Sequence, residues 1–207
     1  MPRAEFFTRL GFYVDPRFLD AAACARLRAV VQAAPATPAA VVPTLADKYQ
    51  TTFLKEEVRK TDVVAVPAEV QAEVTARLMA VKPELERHFG LSLVGCQPLD
   101  FLVYHEGYHF KRHVDSYDNP AAPGWFRERK VSISVFLNGE ADEADGCSYT
   151  GGSLTFHGQV QRGAQTIPLC FPMIGEAGLL VGFRSDQQHE VRPITSGTRY
   201  SIVTWFY

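Results

Sequence analysis

Cysteine is scarce in this chain, and its four cysteines form no CxxC pair. The wide spacing of Cys24, Cys96, Cys147 and Cys170 argues against a zinc ribbon or a disulfide framework, so we expect free thiols. No apolar run approaches the ~20 residues of a membrane-spanning helix, and the first residues lack the apolar core of a signal peptide. The net charge of -2 gives no basic excess for nucleic-acid binding. We therefore expect a cytoplasmic protein that binds neither membranes nor nucleic acids.

What is present is an ordinary globular composition, with 46% hydrophobic and 21% charged residues. A chain of 207 residues is long enough to bury a sizeable core. We predict a single domain over residues 1–207. Its first part, residues 1–95, is expected to supply helical support and edge strands, and residues 96–207 a β-rich core.

Helical periodicity is confined to the first part of the chain. Apolar residues at three- and four-residue steps predict helices from Asp20 to Ala34 and from Pro67 to Phe89, with Gly90 ending the second. Short strands are predicted at Gln50 to Leu54 and at Val63 to Val66. We expect the helices to pack on the outside of the β-rich core.

The second part alternates short runs of β-formers with glycine, proline and asparagine clusters, a pattern typical of a β-sandwich, jelly roll or barrel. Strands are predicted at residues 97–104, 108–114, 130–137, 152–157, 165–172, 178–183, 188–192 and 198–206. Two long loops remain, residues 116–129 and the acidic residues 138–151, and long loops in compact domains are often functional.

The most informative motif is His113-Val114-Asp115, followed much later by His189. Residues two apart on a strand share a face, so His113 and Asp115 can point at the same spot. Two histidines and one carboxylate on one face of an octahedron leave positions open for a chelating cosubstrate and oxygen, as in non-haem Fe(II) oxygenases. The three residues alone predict a metal site of uncertain identity, and a zinc hydrolase stays open at this point.

The segments around these residues carry a family resemblance. The text YHEGYHFKRHVD at 104–115 and HEVRPITSGTRYSIVTWFY at 189–207 resembles the prolyl-4-hydroxylase-like Fe(II)/2-oxoglutarate-dependent dioxygenases. The likeness covers roughly residues 100–207. It implies a mainly β protein with flanking helices, built on a double-stranded β-helix (jelly-roll) core with N-terminal helical support. It also implies Fe(II) held by His113, Asp115 and His189, 2-oxoglutarate as cosubstrate, and ascorbate as a reductant.

The same resemblance assigns expected roles to residues of the cosubstrate pocket. Arg199, ten residues after His189, is expected to hold the distal carboxylate of 2-oxoglutarate, since a guanidinium can donate two parallel hydrogen bonds. Tyr104 is expected to hydrogen-bond the cosubstrate, with a core tyrosine as the alternative, and Ser201 to support the carboxylate. Trp205, on the strand face of Arg199, is expected to line the pocket near the metal.

Several further residues are candidates for substrate contact. Trp125 and Phe126 are predicted as two exposed aromatics that form a lid or substrate platform, the alternative being a loop pinned by its own aromatics. Arg59 is a candidate for the pocket mouth, although a solvated arginine is the ordinary interpretation. Arg127 and Arg129 are candidates for contact with an anionic group of a substrate.

These observations predict a dioxygenase that hydroxylates an unactivated C–H bond, with no catalytic residue beyond the metal site. The resemblance favours a prolyl or other amino-acid residue in a peptide, or a free amino acid, and a small natural product is nearly as well supported. Asp115 favours hydroxylation over halogenation. The alternatives are a 2-oxoglutarate or oxygen sensor and a non-catalytic jelly-roll binding protein. The sequence leaves open the substrate, the position of oxidation and the oligomeric state.

Overall fold

The structure is a computed structural model that describes residues 3–40, 55–118, 120, 122–163 and 165–207. The helices are α1 (Arg3–Arg9), α2 (Ala21–Ala33), α3 (Ala68–Phe89) and α4 (Gly124–Arg127). The strands are β1 (Tyr13–Asp15), β2 (Ala36–Pro38), β3 (Arg59–Lys60), β4 (Asp62–Val64), β5 (Asp100–Tyr104), β6 (His109–His113), β7 (Val131–Phe136), β8 (Gly139–Glu140), β9 (Ser148–Gly151), β10 (Leu154–Arg162), β11 (Gln165–Met173), β12 (Leu180–Arg184), β13 (His189–Val191), β14 (Ile194–Gly197) and β15 (Arg199–Phe206).

Two large antiparallel sheets dominate the described residues. One has seven strands in the order β1-β12-β7-β15-β5-β4-β2, and the other has five in the order β11-β10-β13-β6-β3. A small third sheet, β14-β9-β8, contains a parallel pair, β8 with β9. The mainly β architecture with accompanying helices is therefore confirmed.

The two predicted helices are confirmed as α2 and α3, and each has a clear local cause. The Asp20 side chain accepts the Ala23 N–H at 2.7 Å and caps the start of α2. Gly90 ends α3 in the left-handed conformation at φ 64°, which glycine adopts without steric cost. Among the described residues, no helix combines the length and apolar character needed to cross a membrane.

The alternation of β5 and β15 in the seven-stranded sheet separates the core from the site. One face of these strands joins the apolar residues of α2 and α3 in the main core, through Phe101, Val103, Ile202 and Phe206. The opposite face carries Tyr104, Arg199 and Ser201, all buried. Because side chains of a strand alternate between faces, the same strands can anchor the helices and line a cavity.

The predicted strands of the second part are present with shifted ends. The largest shift is at β10, which runs to Arg162 instead of ending at 157, because it pairs along its full length with β11. The predicted loop 116–129 contains α4, and the predicted loop 138–151 contains β8 and β9. The strand predicted at Gln50 to Leu54 lies outside the described residues.

Candidate active site

Two neighbouring strands bring the predicted metal ligands together. His113 ends β6 and His189 begins β13, and the antiparallel pairing of these strands sets the two histidines directly opposite each other. Asp115 lies just beyond the end of β6, in a bend and not on the strand as expected. Its backbone N–H donates to Ser185 O at 2.8 Å, and this contact fixes the bend.

The three side chains converge on one point. His113 Nε2 lies 3.5 Å from Asp115 Oδ1, and His189 Nε2 lies 3.5 Å from Asp115 Oδ2. One ligand atom from each residue lies within 4.8 Å of the other two. Asp115 and His189 are buried, and His113 is half-buried. Two imidazole nitrogens and one carboxylate oxygen at this spacing can hold a single divalent cation.

Backbone carbonyls set the tautomer of both histidines. His113 Nδ1 lies 2.8 Å from Lys111 O, and His189 Nδ1 lies 2.9 Å from Gln187 O. A carbonyl oxygen accepts hydrogen bonds and cannot donate them, so each Nδ1 carries the proton and donates it. Each Nε2 is then the ring nitrogen that faces Asp115. This arrangement of the outer ring nitrogen is the one that orients histidine ligands of metals.

A pair of buried serines supports the carboxylate. Ser132 Oγ donates to Asp115 Oδ2 at 2.7 Å, and it also bonds Ser185 Oγ at 3.0 Å. Neither serine was predicted from the sequence. Ser132 could have been noticed in the sequence, because it is a polar residue within the largely apolar predicted strand 130–137. A buried hydroxyl in such a strand needs a hydrogen-bond partner inside the protein.

The protonation states of Asp115 and His189 are those that favour binding of a metal cation. Burial acts to raise the pKa of Asp115, but the positive charge that His189 and His113 carry when protonated, together with hydrogen bonds from His113 and Ser132, holds it well below its usual range. Burial, followed by the charge of His113, lowers the pKa of His189 to about 4 against the opposing charge of Asp115. Near neutral pH the carboxylate is ionised and His189 is neutral, the forms that bind metals.

Aromatic rings enclose the two histidines. The Phe110 ring stacks on His113 at 3.5 Å between centroids and an interplanar angle of 14°. Phe183 and Phe156 lie 4.7 and 6.2 Å from the ring of His189. These apolar contacts restrict water around the ligand atoms, and the shell around a metal tunes its chemistry.

A cavity of about 440 Å³ extends from the three ligand residues between the two large sheets. The residues predicted for the metal, the cosubstrate and the lid all line it: Tyr104, His113, Asp115, Trp125, Phe126, His189, Arg199, Ser201 and Trp205. The structure therefore brings these residues to one cavity, although they come from distant parts of the sequence. Of the further candidates for substrate contact, Arg59 and Arg129 line it and Arg127 does not.

Arg199 is the largest fully buried side chain of the cavity, with 1% of its surface exposed. Its Nη1 donates to Gly152 O at 3.2 Å, whereas its Nε has no hydrogen-bond partner and no carboxylate of the described residues pairs with it. The guanidinium lies 5.3 Å from the Tyr104 ring and 4.9 Å from the Phe136 ring. A buried guanidinium normally has a paired anion, so this geometry suits an anionic ligand.

Two hydroxyls add to the unpaired polar atoms of this region. Ser201 Oγ is buried without a partner, and so is Tyr149 Oη. Burial raises the pKa of Tyr149 to about 12, although the charge of Arg199 acts to lower it. Tyr149 had no signal in the sequence, because it stands in a stretch predicted as loop. Unpaired buried polar atoms are rare in folded proteins and call for a ligand or water.

At another part of the cavity, Trp205 is covered by Arg129. The Arg129 guanidinium lies 3.5 Å from the Trp205 ring, and its Nε donates to Gln97 Oε1 at 2.9 Å. Its Nη1 also donates to Asp115 O at 3.4 Å, so Arg129 links the metal segment to the last strand. Burial lowers the pKa of Arg129 to about 10, and the charges of Asp115 and Asp100 oppose that shift.

The prediction of two exposed aromatics on the loop is wrong for one of them. Trp125 is 44% exposed, but Phe126 is only 4% exposed. The two side chains belong to the short helix α4, and Phe126 packs edge-on against Tyr117 at 5.0 Å. The buried Phe126 therefore anchors the segment 116–129, and of the two aromatic side chains only Trp125 is exposed to solvent. Arg127, at the end of α4, is exposed.

The comparison with known protein families fits this geometry. Residues 99–207 match the model of the 2OG-Fe(II) oxygenase superfamily, which is just over half of the chain. The chain belongs to that superfamily. The matched span contains both metal-binding segments and the strand that carries Arg199.

One relative is similar to this chain in sequence, and two solved structures are similar to it in fold. A PKHD-type hydroxylase of Acaryochloris marina is 35% identical over 130 residues, which are 60% of this chain and 50% of the relative, so the chain spans about half the length of that protein. A Pseudomonas putida prolyl-4-hydroxylase superposes with a TM-score of 0.68 at 23% identity, covering 95% of this chain and 91% of that one. A Trichoplax adhaerens prolyl hydroxylase gives 0.59 at 17% identity, covering 99% and 90%. The jelly-roll core predicted from the sequence is thereby confirmed.

Proposed function

We propose that this protein is an Fe(II)- and 2-oxoglutarate-dependent hydroxylase of an amino-acid or prolyl substrate. The observation that carries the proposal is the buried guanidinium of Arg199, which has no anionic partner yet shares a cavity with a ready-made metal site. A metal site alone fits several chemistries. A metal site beside an unpaired buried arginine fits a cosubstrate that chelates metal at one end and carries a carboxylate at the other.

The donor set suits Fe(II). Two imidazoles and one carboxylate, from His113, His189 and Asp115, are the donor set of non-haem Fe(II) oxygenases, and this set would leave coordination positions free for other ligands. When bound, iron supplies the oxygen-activating redox chemistry that amino-acid side chains lack. The chain holds the two Nε2 atoms toward the ion through the carbonyls behind each ring, and Ser132 keeps the carboxylate oriented.

The pocket around Arg199 suits 2-oxoglutarate. Arg199 Nε and Ser201 Oγ are both buried and unpaired. A carboxylate that binds there can accept a charge-assisted hydrogen bond from the Arg199 guanidinium and a second hydrogen bond from the Ser201 hydroxyl. Tyr104, directly opposite Arg199 in the strand pairing, closes one side of the pocket. The overall reaction converts 2-oxoglutarate, oxygen and a substrate C–H bond into succinate, carbon dioxide and an alcohol.

The likeness to prolyl hydroxylases supports an amino-acid or peptidyl substrate. The rings of Trp205 and of the exposed Trp125 line the cavity, and such rings can pack against a small aliphatic ring or side chain of a substrate. Ascorbate as a reductant and a cytoplasmic location stay part of the proposal, and adding or omitting ascorbate during multiple turnovers tests the first.

The cofactor proposal has a direct anaerobic test. Fe(II) and 2-oxoglutarate are added to metal-free protein without oxygen, and visible absorption is recorded. We expect the charge-transfer band of the iron–keto-acid chelate. If folded protein binds Fe(II) yet gives no band, the cofactor assignment is wrong.

Turnover then separates a hydroxylase from a binding protein. In air, wild-type protein is expected to form succinate from 2-oxoglutarate, and candidate proline peptides and amino acids are examined by mass spectrometry for one added oxygen atom. His113→Ala is expected to abolish both signals, and His105→Ala, an exposed histidine outside the cavity lining, serves as the matched control. A chelate band without succinate under any of these conditions indicates the sensor or binding alternative.

A further inference from the structure

Asp100 is a carboxylate of the cavity that neither iron nor 2-oxoglutarate uses in the proposed function. It begins β5 and lines the cavity on the strand face that also carries Tyr104. Tyr104 lies opposite Arg199, and Asp100 lies four residues from Tyr104. At ~3.3 Å per residue the backbone positions of Tyr104 and Asp100 are about 13 Å apart. Asp100 is therefore well separated from the pocket assigned to 2-oxoglutarate.

The described residues give the Asp100 side chain neither a hydrogen bond nor an ion pair. Burial raises the pKa of Asp100, and the charges of Arg59 and Arg129 act to lower it. The two arginines are thus close enough for their charges to act on the carboxylate, yet neither pairs with it. Asp100 is half-buried in the cavity wall and loses part of its hydration there, so a cationic group of a ligand can pair with it.

Arg59 is the counterpart of Asp100 on the facing sheet. It lies in β3 opposite Phe110, and its guanidinium is 4.8 Å from the Phe110 ring that stacks on His113. One guanidinium nitrogen donates to Ala40 O at 3.0 Å. Its Nε is buried without a partner, so a donor near the metal end of the cavity is unused.

Arg129 supplies positive charge, but much of its hydrogen-bonding capacity is already engaged. Gln97 and the carbonyl of Asp115 accept from it, and Trp205 covers its face. We therefore expect Arg129 to affect Asp100 through its positive charge and not through a hydrogen bond to the ligand.

The arrangement selects for a ligand with both charges. A lone ammonium group would be attracted by Asp100 but repelled by Arg59 and Arg129, and a lone carboxylate would leave Asp100 unpaired. A molecule with an ammonium and a carboxylate a few ångströms apart satisfies both sides at once. The volume agrees, because a cavity of about 440 Å³ that also receives 2-oxoglutarate leaves room for a small substrate.

We propose that the substrate is a free, zwitterionic α-amino acid whose ammonium group binds Asp100 and whose carboxylate binds Arg59. This inference rests on the proposed function and decides between the free and the peptidyl substrate. A residue inside a peptide has neither charge, so it cannot satisfy Asp100 and Arg59 together. Asp100 and Arg59 are then residues that determine specificity.

The first arm of the test keeps the two proposals apart. The anaerobic Fe(II)/2-oxoglutarate band is recorded for wild-type, Asp100→Asn and Arg59→Gln proteins. Absence of the band in wild-type protein overturns the proposed function. Presence of the band in all three shows that the cofactors bind independently of Asp100 and Arg59, and any later difference then belongs to the substrate.

The second arm uses the twenty proteinogenic L-amino acids as probes. Each is supplied free, as the N-acetyl acid, as the amide, and as the N-acetyl amide, and succinate formation is measured above the level without substrate. We expect at least one free amino acid to raise turnover tenfold or more, with its three capped forms far weaker. The proposal is overturned if a capped form or a proline peptide stimulates as strongly as the free amino acid. It is overturned equally if the chelate forms and no free amino acid stimulates turnover.

The variants test the two contacts separately. Asp100→Asn is expected to raise the KM for the free amino acid at least tenfold and to shift preference toward the N-acetyl acid, which lacks the ammonium group. Arg59→Gln is expected to shift preference toward the amide, which lacks the carboxylate. Asp62→Asn, on the adjacent strand and outside the cavity lining, is the control for removal of a nearby carboxylate. A loss of turnover without any shift in preference indicates a structural role only and overturns the proposal.

Discussion

The two ends of the cavity differ in how far the chain satisfies its own polar groups. At the metal end, Nδ1 of His113 and of His189 donates to a backbone carbonyl, and Asp115 accepts from Ser132. At the other end, Arg199 Nε and Ser201 Oγ are buried with no partner. The chain thus completes the supports of the predicted metal ligands itself, and it leaves the polar groups of the proposed cosubstrate end without partners of their own.

The contrast has a physical reason. Metal ligands gain from being held in one orientation before the ion arrives, because their affinity depends on geometry set by outer partners. A binding pocket gains from the opposite arrangement, since each unpaired buried polar atom costs about 1–3 kcal/mol and a ligand that pairs with it removes that cost. The substitutions below change one end at a time.

The largest expected effect is at the metal end. His189→Ala removes a ligand and is expected to lower iron affinity and succinate formation by more than about a hundredfold, since losing even an outer partner costs 10–100-fold. Metal content and turnover measure the effect. His157→Ala, one register position away on β10, is the control and should keep both. A His189→Ala protein with full iron content would remove His189 from the metal site.

Arg199→Met is expected to weaken 2-oxoglutarate binding by about a hundredfold, because a hydrogen bond to a charged group contributes ~1.5–3 kcal/mol. Iron affinity should stay within about twofold. The metal-free protein should melt at the same or a higher temperature, because an apolar side chain replaces an unpaired buried charge. Calorimetric titration and thermal melts test both parts, with the exposed Arg192→Met as the control. A strongly lowered melting temperature would mean that the chain, and not a ligand, uses Arg199.

Ser132→Ala tests the support of the metal ligands. Loss of the hydrogen bond to Asp115 Oδ2 is expected to lower iron affinity by about tenfold and to leave 2-oxoglutarate affinity of the iron-loaded protein nearly unchanged. Ser134→Ala, two residues further along β7, is the matched control. Equal iron affinity in the two variants would show that Asp115 does not depend on Ser132.

The smallest effect is expected at Ser201. Ser201→Ala should raise the KM for 2-oxoglutarate about threefold, in line with the ~0.5–1.5 kcal/mol of an ordinary hydrogen bond. Because Ser201 Oγ has no partner among the residues that the structure describes, the melting temperature should not fall. The same serine-to-alanine change thus separates the two ends: Ser132 affects iron, and Ser201 affects 2-oxoglutarate. An unchanged KM would remove Ser201 from the cosubstrate pocket.

Elements with a local cause could be predicted from the sequence. The helices α2 and α3 follow from apolar spacing and their caps, and the longer strands follow from runs of β-formers. The short strands β8, β9 and β14 could not be predicted, because they form through pairing with one another. Their residues are polar or glycine-rich, so nothing local distinguishes them from loop.

The candidate site divides in the same way. Residue type and spacing were enough to single out the H-x-D motif and His189 as possible metal ligands, and the family resemblance singled out Arg199. Spacing also predicted that Trp205 would share a strand face with Arg199, and both line the cavity. The exposure of Phe126 was predicted wrongly, since burial of a loop aromatic depends on packing against Tyr117.

By itself, the sequence determined which residues could hold a metal, since that depends on chemical type and on strand alternation, and its family resemblance indicated Arg199 as the residue for a carboxylate. The tertiary structure alone decided how those residues are supported and which polar groups stay unpaired. The Ser132–Ser185 pair, the unpaired atoms of Arg199 and Ser201, and the placement of Asp100 and Arg59 in one cavity all arise between segments far apart in the chain. No local pattern encodes such contacts, because they are set by how the two sheets face each other.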